Sequence, residues 1–137
     1  MWWTYALLSA LFAALTAIFA KVGIKNINTD LAVAIRTVVI LFMAWAIVFF
    51  RGGASQIYSL TQKNILFLVL SGITTGLSWV FYFRAIAIGK VSEVAPVDKL
   101  SLALTIIFSI IFLGESLSLK SAIGASCIII GTVIMIL

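Results

Sequence analysis

Arg36, Glu93, Asp98 and Lys99 are the residues whose types and spacing could do chemistry, in a chain of which only 9% is charged. Each lies in or at the mouth of an apolar stretch long enough to cross much of a bilayer. An ionisable group there is costly unless it is paired, hydrated or turned to a cavity, so the four mark a candidate substrate or coupling site. Arg36 lies about 8–9 Å past Asp30, and Asp98 about 10 Å past Val91, at 1.5 Å per residue, which puts them at similar depth. They can pair, or either can meet a solute. Arg36 can instead snorkel to the near interface, and an ion pair that only sets helix register is the bland alternative. Asp98 and Lys99 are about 100° apart around a helix, so both cannot point at one target. Ser71, Thr75 and Ser78 follow at helical spacing and share a face. They would add weaker hydrogen-bonding groups, although packing against a neighbouring helix explains them more simply.

The elements that must hold these residues follow from composition. Of 137 residues, 64% are apolar and only 9% are Asp, Glu, Lys or Arg, against roughly 25% charged in an average soluble domain. No water-facing surface can be built from that, so an all-α membrane-embedded protein of one domain, residues 1–137, is expected. The net charge of +5 comes from scattered bases without a basic tract. That fits anionic lipid head groups and argues against nucleic acid. There is no histidine, and the one cysteine, Cys127, lies in an apolar run where it reads as a small buried packing residue. Four dispersed carboxylates and one thiol make no metal site, and no nucleotide loop or nucleophile elbow is present. No cofactor, metal or enzymatic activity is expected.

Span length and loop chemistry predict five transmembrane helices near 3–20, 31–50, 64–84, 91–113 and 119–136. Asp30 reads as the N-cap of the second, Thr61 of the third and Ser118 of the fifth. Gly52 and Gly53 end the second helix, and the loop that follows reaches Lys63. Trp79 and Tyr82 read as interfacial, with Arg84 closing the third helix. Gly72 and Gly76, and Gly124 and Gly131, are candidate helix-packing positions. Pro96 removes a backbone donor and clashes with the carbonyl four residues back, so the fourth helix is expected to bend or open near Ala95 or Pro96. Discontinuous helices of this kind occur at transporter binding sites.

Taken together, these residues carry a resemblance. Residues 82–89 (YFRAIAIG), 95–101 (APVDKLS), 112–115 (FLGE) and 123–132 (IGASCIIIGT) resemble, in order and spacing, one EamA-type domain of the drug/metabolite transporter superfamily. That resemblance spans essentially the whole chain. It implies a transporter half-unit, since family members commonly join two inverted five-helix repeats and this chain has one. The expected function is movement of a small polar or amphipathic metabolite or drug across the membrane by a homodimer, the inverted repeat implying an antiparallel one. The expected location is a bacterial or archaeal plasma membrane. Small four-helix relatives use a membrane-embedded Glu in the first helix, and no acid stands in residues 1–20 here. A non-transporting membrane partner, or half of a heterodimer, is the alternative.

Five spans place the two termini on opposite sides. Loop bases alone number four toward the C-terminal side (Lys21, Lys25, Arg84, Lys90) and three toward the N-terminal side (Arg51, Lys63, Lys120), a balance that also fits a chain inserting both ways. Adding Arg36 and Lys99 makes it six to three, which weakly favours a cytoplasmic C-terminal side. In protein tagged at both ends, any molecule whose N-terminus is reached from outside should have a protected C-terminus. Both ends of the same molecules reached from one face would rule out an odd number of spans.

Overall fold

A computed structural model describes residues 1–137, and the chain is all-helical. Six α-helices run in order: α1 (Trp2–Gly23), α2 (Thr29–Phe50), α3 (Gln62–Ile88), α4 (Val91–Asp98), α5 (Leu100–Leu113) and α6 (Leu119–Ile136). A short 3-10 helix, Gly53–Ser59, stands between α2 and α3. With α4 and α5 taken as one segment, five stretches are long and apolar enough to cross a membrane: Trp2–Gly23, Thr29–Phe50, Gln62–Ile88, Val91–Leu113 and Leu119–Ile136. The expected spans are therefore present. Helix ends differ by a few residues: α3 continues past Arg84 to Ile88, and α1 takes in Lys21.

The helix ends follow from capping chemistry, with one correction. Asn28, not Asp30, caps α2: its side-chain oxygen accepts from the backbone N–H of Asp30 at 2.8 Å and of Leu31 at 3.3 Å. Asp30 instead sits in the first turn, where its charge suits the positive end of the helix. Thr61 and Ser118 cap as expected, accepting from Asn64 N–H at 3.2 Å and Ser121 N–H at 3.1 Å. Gly52 follows α2 with φ at 69°, a left-handed conformation open to glycine at little steric cost.

Residues 19–87 form one compact unit, and residues 1–18 with 88–137 form another. In the first, the 3-10 helix folds back against α2. Leu41, Trp45, Val48, Ile57 and Leu60 are among the residues that enclose a shallow apolar hollow of about 260 Å³ there. In the second, α6 packs on both α4 and α5. The break in the fourth span falls at Lys99, three residues beyond Pro96, rather than at Ala95 or Pro96. At the joint the ladder tightens: Lys99 N–H donates to the Pro96 carbonyl and Leu102 N–H to the Lys99 carbonyl, both at 3.0 Å and both three residues apart. Proline removes the donor owed to the carbonyl of Ser92, and the chain re-forms its bonds in 3-10 fashion one turn later.

Thr132 of α6 meets this joint. It is the one buried polar residue of the chain, 4% exposed. Its hydroxyl lies 2.8 Å from the carbonyl of Ile128 and 3.3 Å from that of Pro96. One hydroxyl proton serves both carbonyls, and it favours the nearer.

Buried apolar residues are few: Ala17, Ile24, Val33, Phe83, Ile86 and Ala103. Most other large apolar side chains face outward, as a chain solvated by lipid requires. Cys127, read from sequence as buried, also faces outward. A Cβ added at Gly72, Gly76, Gly124 or Gly131 would meet no atom within 4 Å, so these glycines are open within one chain. Replacing the cap, Asn28→Ala, should destabilise the folded protein by about 1 kcal/mol, read from reversible unfolding in mixed micelles. Asp30→Ala should leave the N-terminal turn of α2 intact by circular dichroism.

Candidate functional site

Within the unit of residues 19–87, the start of α2 and the end of α3 bring their charges and rings together. Arg36 is seven residues into α2, about 10 Å along its axis; Phe83 and Trp79 lie about 8 Å and 14 Å before the end of α3. The depths agree, and the Arg36 guanidinium carbon sits 4.2 Å from the Trp79 ring centroid and 4.9 Å from that of Phe83. Trp79 and Phe83 are four residues apart, so they present adjacent rings on one face. Trp79 is thus turned to the charge of Arg36 across from it. Phe83 is 2% exposed and fixes the lower part of this stack.

Arginine suits such a bracket. Its flat guanidinium can lie on aromatic faces while its N–H donors radiate from its own plane, away from the rings. A charged side chain at the centre of a membrane costs about 2.5–3.5 kcal/mol on an insertion scale, and a cation over a ring returns about 0.5–2 kcal/mol. The rings therefore offset part of the cost and leave the donors to be met by oxygen atoms.

Three of the chain's four side-chain carboxylates, all but Glu115, are engaged elsewhere. Its three ion pairs are Arg84–Asp30 at 3.0 Å, Lys90–Glu93 at 3.0 Å and Lys99–Asp98 at 3.6 Å, and Arg36 takes part in none of them. Asp98 and Lys99, expected to diverge around their helix, reach one another because the lysine stem is long and flexible. One Arg84 nitrogen touches both Asp30 oxygens, at 3.1 and 3.0 Å. This pair joins α3 to the first turn of α2. Lys21 donates to the carbonyls of Ile86 and Ala87, where α3 ends and its carbonyls lack helical partners. Neither contact was read from the sequence. The spacing that could have shown them is antiparallel depth matching, because Asp30 opens α2 where Arg84 nears the end of α3.

The hydroxyl face of α3 is less available than its sequence suggests. Thr75 donates to the carbonyl of Ser71 at 2.8 Å, so it retains only acceptor capacity. Ser71, Thr75 and Ser78 all face outward. Glu93, Pro96, Asp98 and Lys99 belong to the other compact unit, around the α4–α5 joint.

Five apolar helices, several polar groups at membrane depth and an interrupted span define a multi-pass membrane protein of transporter type, consistent with a bacterial or archaeal plasma membrane. The chain belongs to the EamA-like transporter family, whose model matches residues 1–137. It is 48% identical over 134 residues to an uncharacterised transporter encoded in the cobO 3' region of Sinorhizobium sp., covering 98% of this chain and 95% of that protein. It is also 32% identical over 74 residues to an uncharacterised protein of Methanocaldococcus jannaschii, covering 54% of each. No solved structure matches.

The half-exposed Arg84–Asp30 pair, with side chains 55% and 53% exposed, should contribute little: Arg84→Gln should cost at most about 1 kcal/mol. Trp79→Ala should cost more, because it uncovers the Arg36 guanidinium as well as losing ring area. Unfolding titrations of the two variants in the same micelles decide the order.

Proposed function

We propose that this chain is a transporter half-unit that works as an antiparallel homodimer and moves a small polar or amphipathic solute across the membrane. The observation that carries the reading is Arg36. An arginine at membrane depth, held by two ring faces and taking part in no ion pair of the chain, is an expensive feature for a protein that only anchors or scaffolds. Two further facts support it. The Sinorhizobium relative is described as a transporter and is matched over 95% of its length, so it too is of single-repeat size. Gly72, Gly76, Gly124 and Gly131 leave small, open faces, of the kind that lets helices of a second copy approach closely. Within residues 19–87, Ser71 and Ser78 would add hydroxyls; in the other unit, Glu93, Asp98 and Lys99 stand around the Pro96 joint.

Sealed vesicles containing only this protein, loaded with a defined panel of polar metabolites, test the reading. At least one solute should leave about tenfold faster than from protein-free vesicles, a modest requirement beside typical catalysed rates. Efflux indistinguishable from protein-free vesicles for the whole panel would overturn transport by this chain alone. In cells, a label at the N-terminus should find both accessible and protected molecules in comparable amounts. A single orientation would sink the antiparallel pair.

A further inference from the structure

We infer that the Arg36 stack is a receptor for an oxyanion, a carboxylate or phosphate group, and that this group belongs to the transported solute. The inference rests on the transporter reading for the word "transported", but the site itself stands on geometry within residues 19–87. The slot between α2 and the rings of Trp79 and Phe83 is already filled by a cation of the chain's own, with the guanidinium carbon 4.2 and 4.9 Å from the two ring centroids. A cationic solute would meet like charge there. An anion meets a cation already held in place over the rings, and arginine's fork matches the two oxygens of a carboxylate or phosphate.

The surrounding charge has the same sign. Toward this end of α2 and α3 the unit carries Lys21, Lys25, Arg36 and Arg84 against Asp30 alone. Asp30 is taken by Arg84, so it does not neutralise Arg36. A surplus of one sign in a low-dielectric setting concentrates the opposite charge.

Room beside the stack comes from glycine. Gly72, Gly76, Trp79 and Phe83 follow at steps of four, three and four residues, which keeps them on one face of α3. A Cβ at Gly72 or Gly76 would meet nothing within 4 Å. At those two positions the helix surface on the side of the rings is bare backbone, open to the uncharged part of a small solute. Thr75, one turn before Trp79, offers acceptor lone pairs because its proton is bound to the Ser71 carbonyl. It would take a hydrogen bond from a solute hydroxyl and cannot give one. The solute class is therefore a small hydroxylated or otherwise polar organic anion.

The same oxyanion chemistry is present in anionic lipid head groups, and the test separates the two sources. Trp79 is made the sole reporter by Trp2→Phe, Trp3→Phe and Trp45→Phe, and the full chain is placed in nanodiscs of zwitterionic phosphatidylcholine, whose phosphate is balanced by its own ammonium. Glycerol 3-phosphate and lactate are titrated against choline, with Trp79 emission as readout. A saturable change with either anion and none with choline is the expected result. Arg36→Gln should weaken it about 10- to 100-fold, the change for losing charge-assisted hydrogen bonds. If Arg36→Gln does not fold, anion-against-cation selectivity of the parent protein decides alone. A Trp79 change on moving to phosphatidylglycerol discs, with no response to either soluble anion, would overturn the solute assignment and give the receptor to a head group. Saturation by choline, an equal response in Arg36→Gln, or no response to any anion in either lipid would overturn the receptor itself. Flux in vesicles without a Trp79 response leaves transport standing and removes this site; a Trp79 response without flux does the reverse.

Discussion

In hydrocarbon every polar group must find its partner within the protein, and that constraint shapes most of what is distinctive here. It explains why the helical hydroxyls turn back on their own backbone. Thr16, Thr37, Thr75, Thr105 and Ser126 each donate to the carbonyl four residues earlier, at 2.7–2.9 Å. The caps at Asn28, Thr61 and Ser118 satisfy first-turn N–H groups at the helix ends, as N-caps do in soluble proteins too. The same constraint explains why Lys21 reaches the last carbonyls of α3 instead of remaining a loop charge. A soluble protein would leave many of these groups to water.

Two places depart from complete local satisfaction, and they are where function is sought. At the α4–α5 joint, proline breaks the ladder, and the chain recovers with a pair of tighter bonds around Lys99. The hydroxyl of Thr132 approaches the Pro96 carbonyl there while keeping its shorter bond within α6. That arrangement costs little to rearrange, because the proton can rest on either carbonyl. At Arg36, the guanidinium carbon lies over the Trp79 and Phe83 rings, and the charge takes part in none of the chain's ion pairs. The first departure is one of backbone, the second one of charge. Each is held by its own compact unit of the chain.

The small set of buried side chains fits the same view. A soluble domain of this length would be unfolded with so thin a core, since apolar burial is its chief driving force. Within a bilayer the outward apolar residues lose nothing by facing lipid. Close helix contact then depends on small residues and dispersion. The open glycines on α3 and α6 are the surfaces where a second copy would have most to gain.

Much of this was legible in the sequence. Runs of about twenty apolar residues, separated by polar caps and glycines, determine five spans, because backbone in lipid has no other economical conformation. The ordered motifs from Tyr82 to Thr132 carried the family. Thr61 and Ser118 were readable as caps because each stands just before its apolar run. At the start of α2 two cap residues compete, and only the backbone course decides for Asn28, whose oxygen meets two N–H groups while Asp30 turns to Arg84. Likewise the sequence places an arginine at membrane depth, but it cannot say what lies over it. Helix rotation and antiparallel depth brought Trp79 and Phe83 across from Arg36, 43 and 47 residues away in sequence. Local composition determines which segments are helices, because each segment's solvent is the same lipid. Which charge meets which ring is decided only when two helices fix their register, and that is a property of the pair.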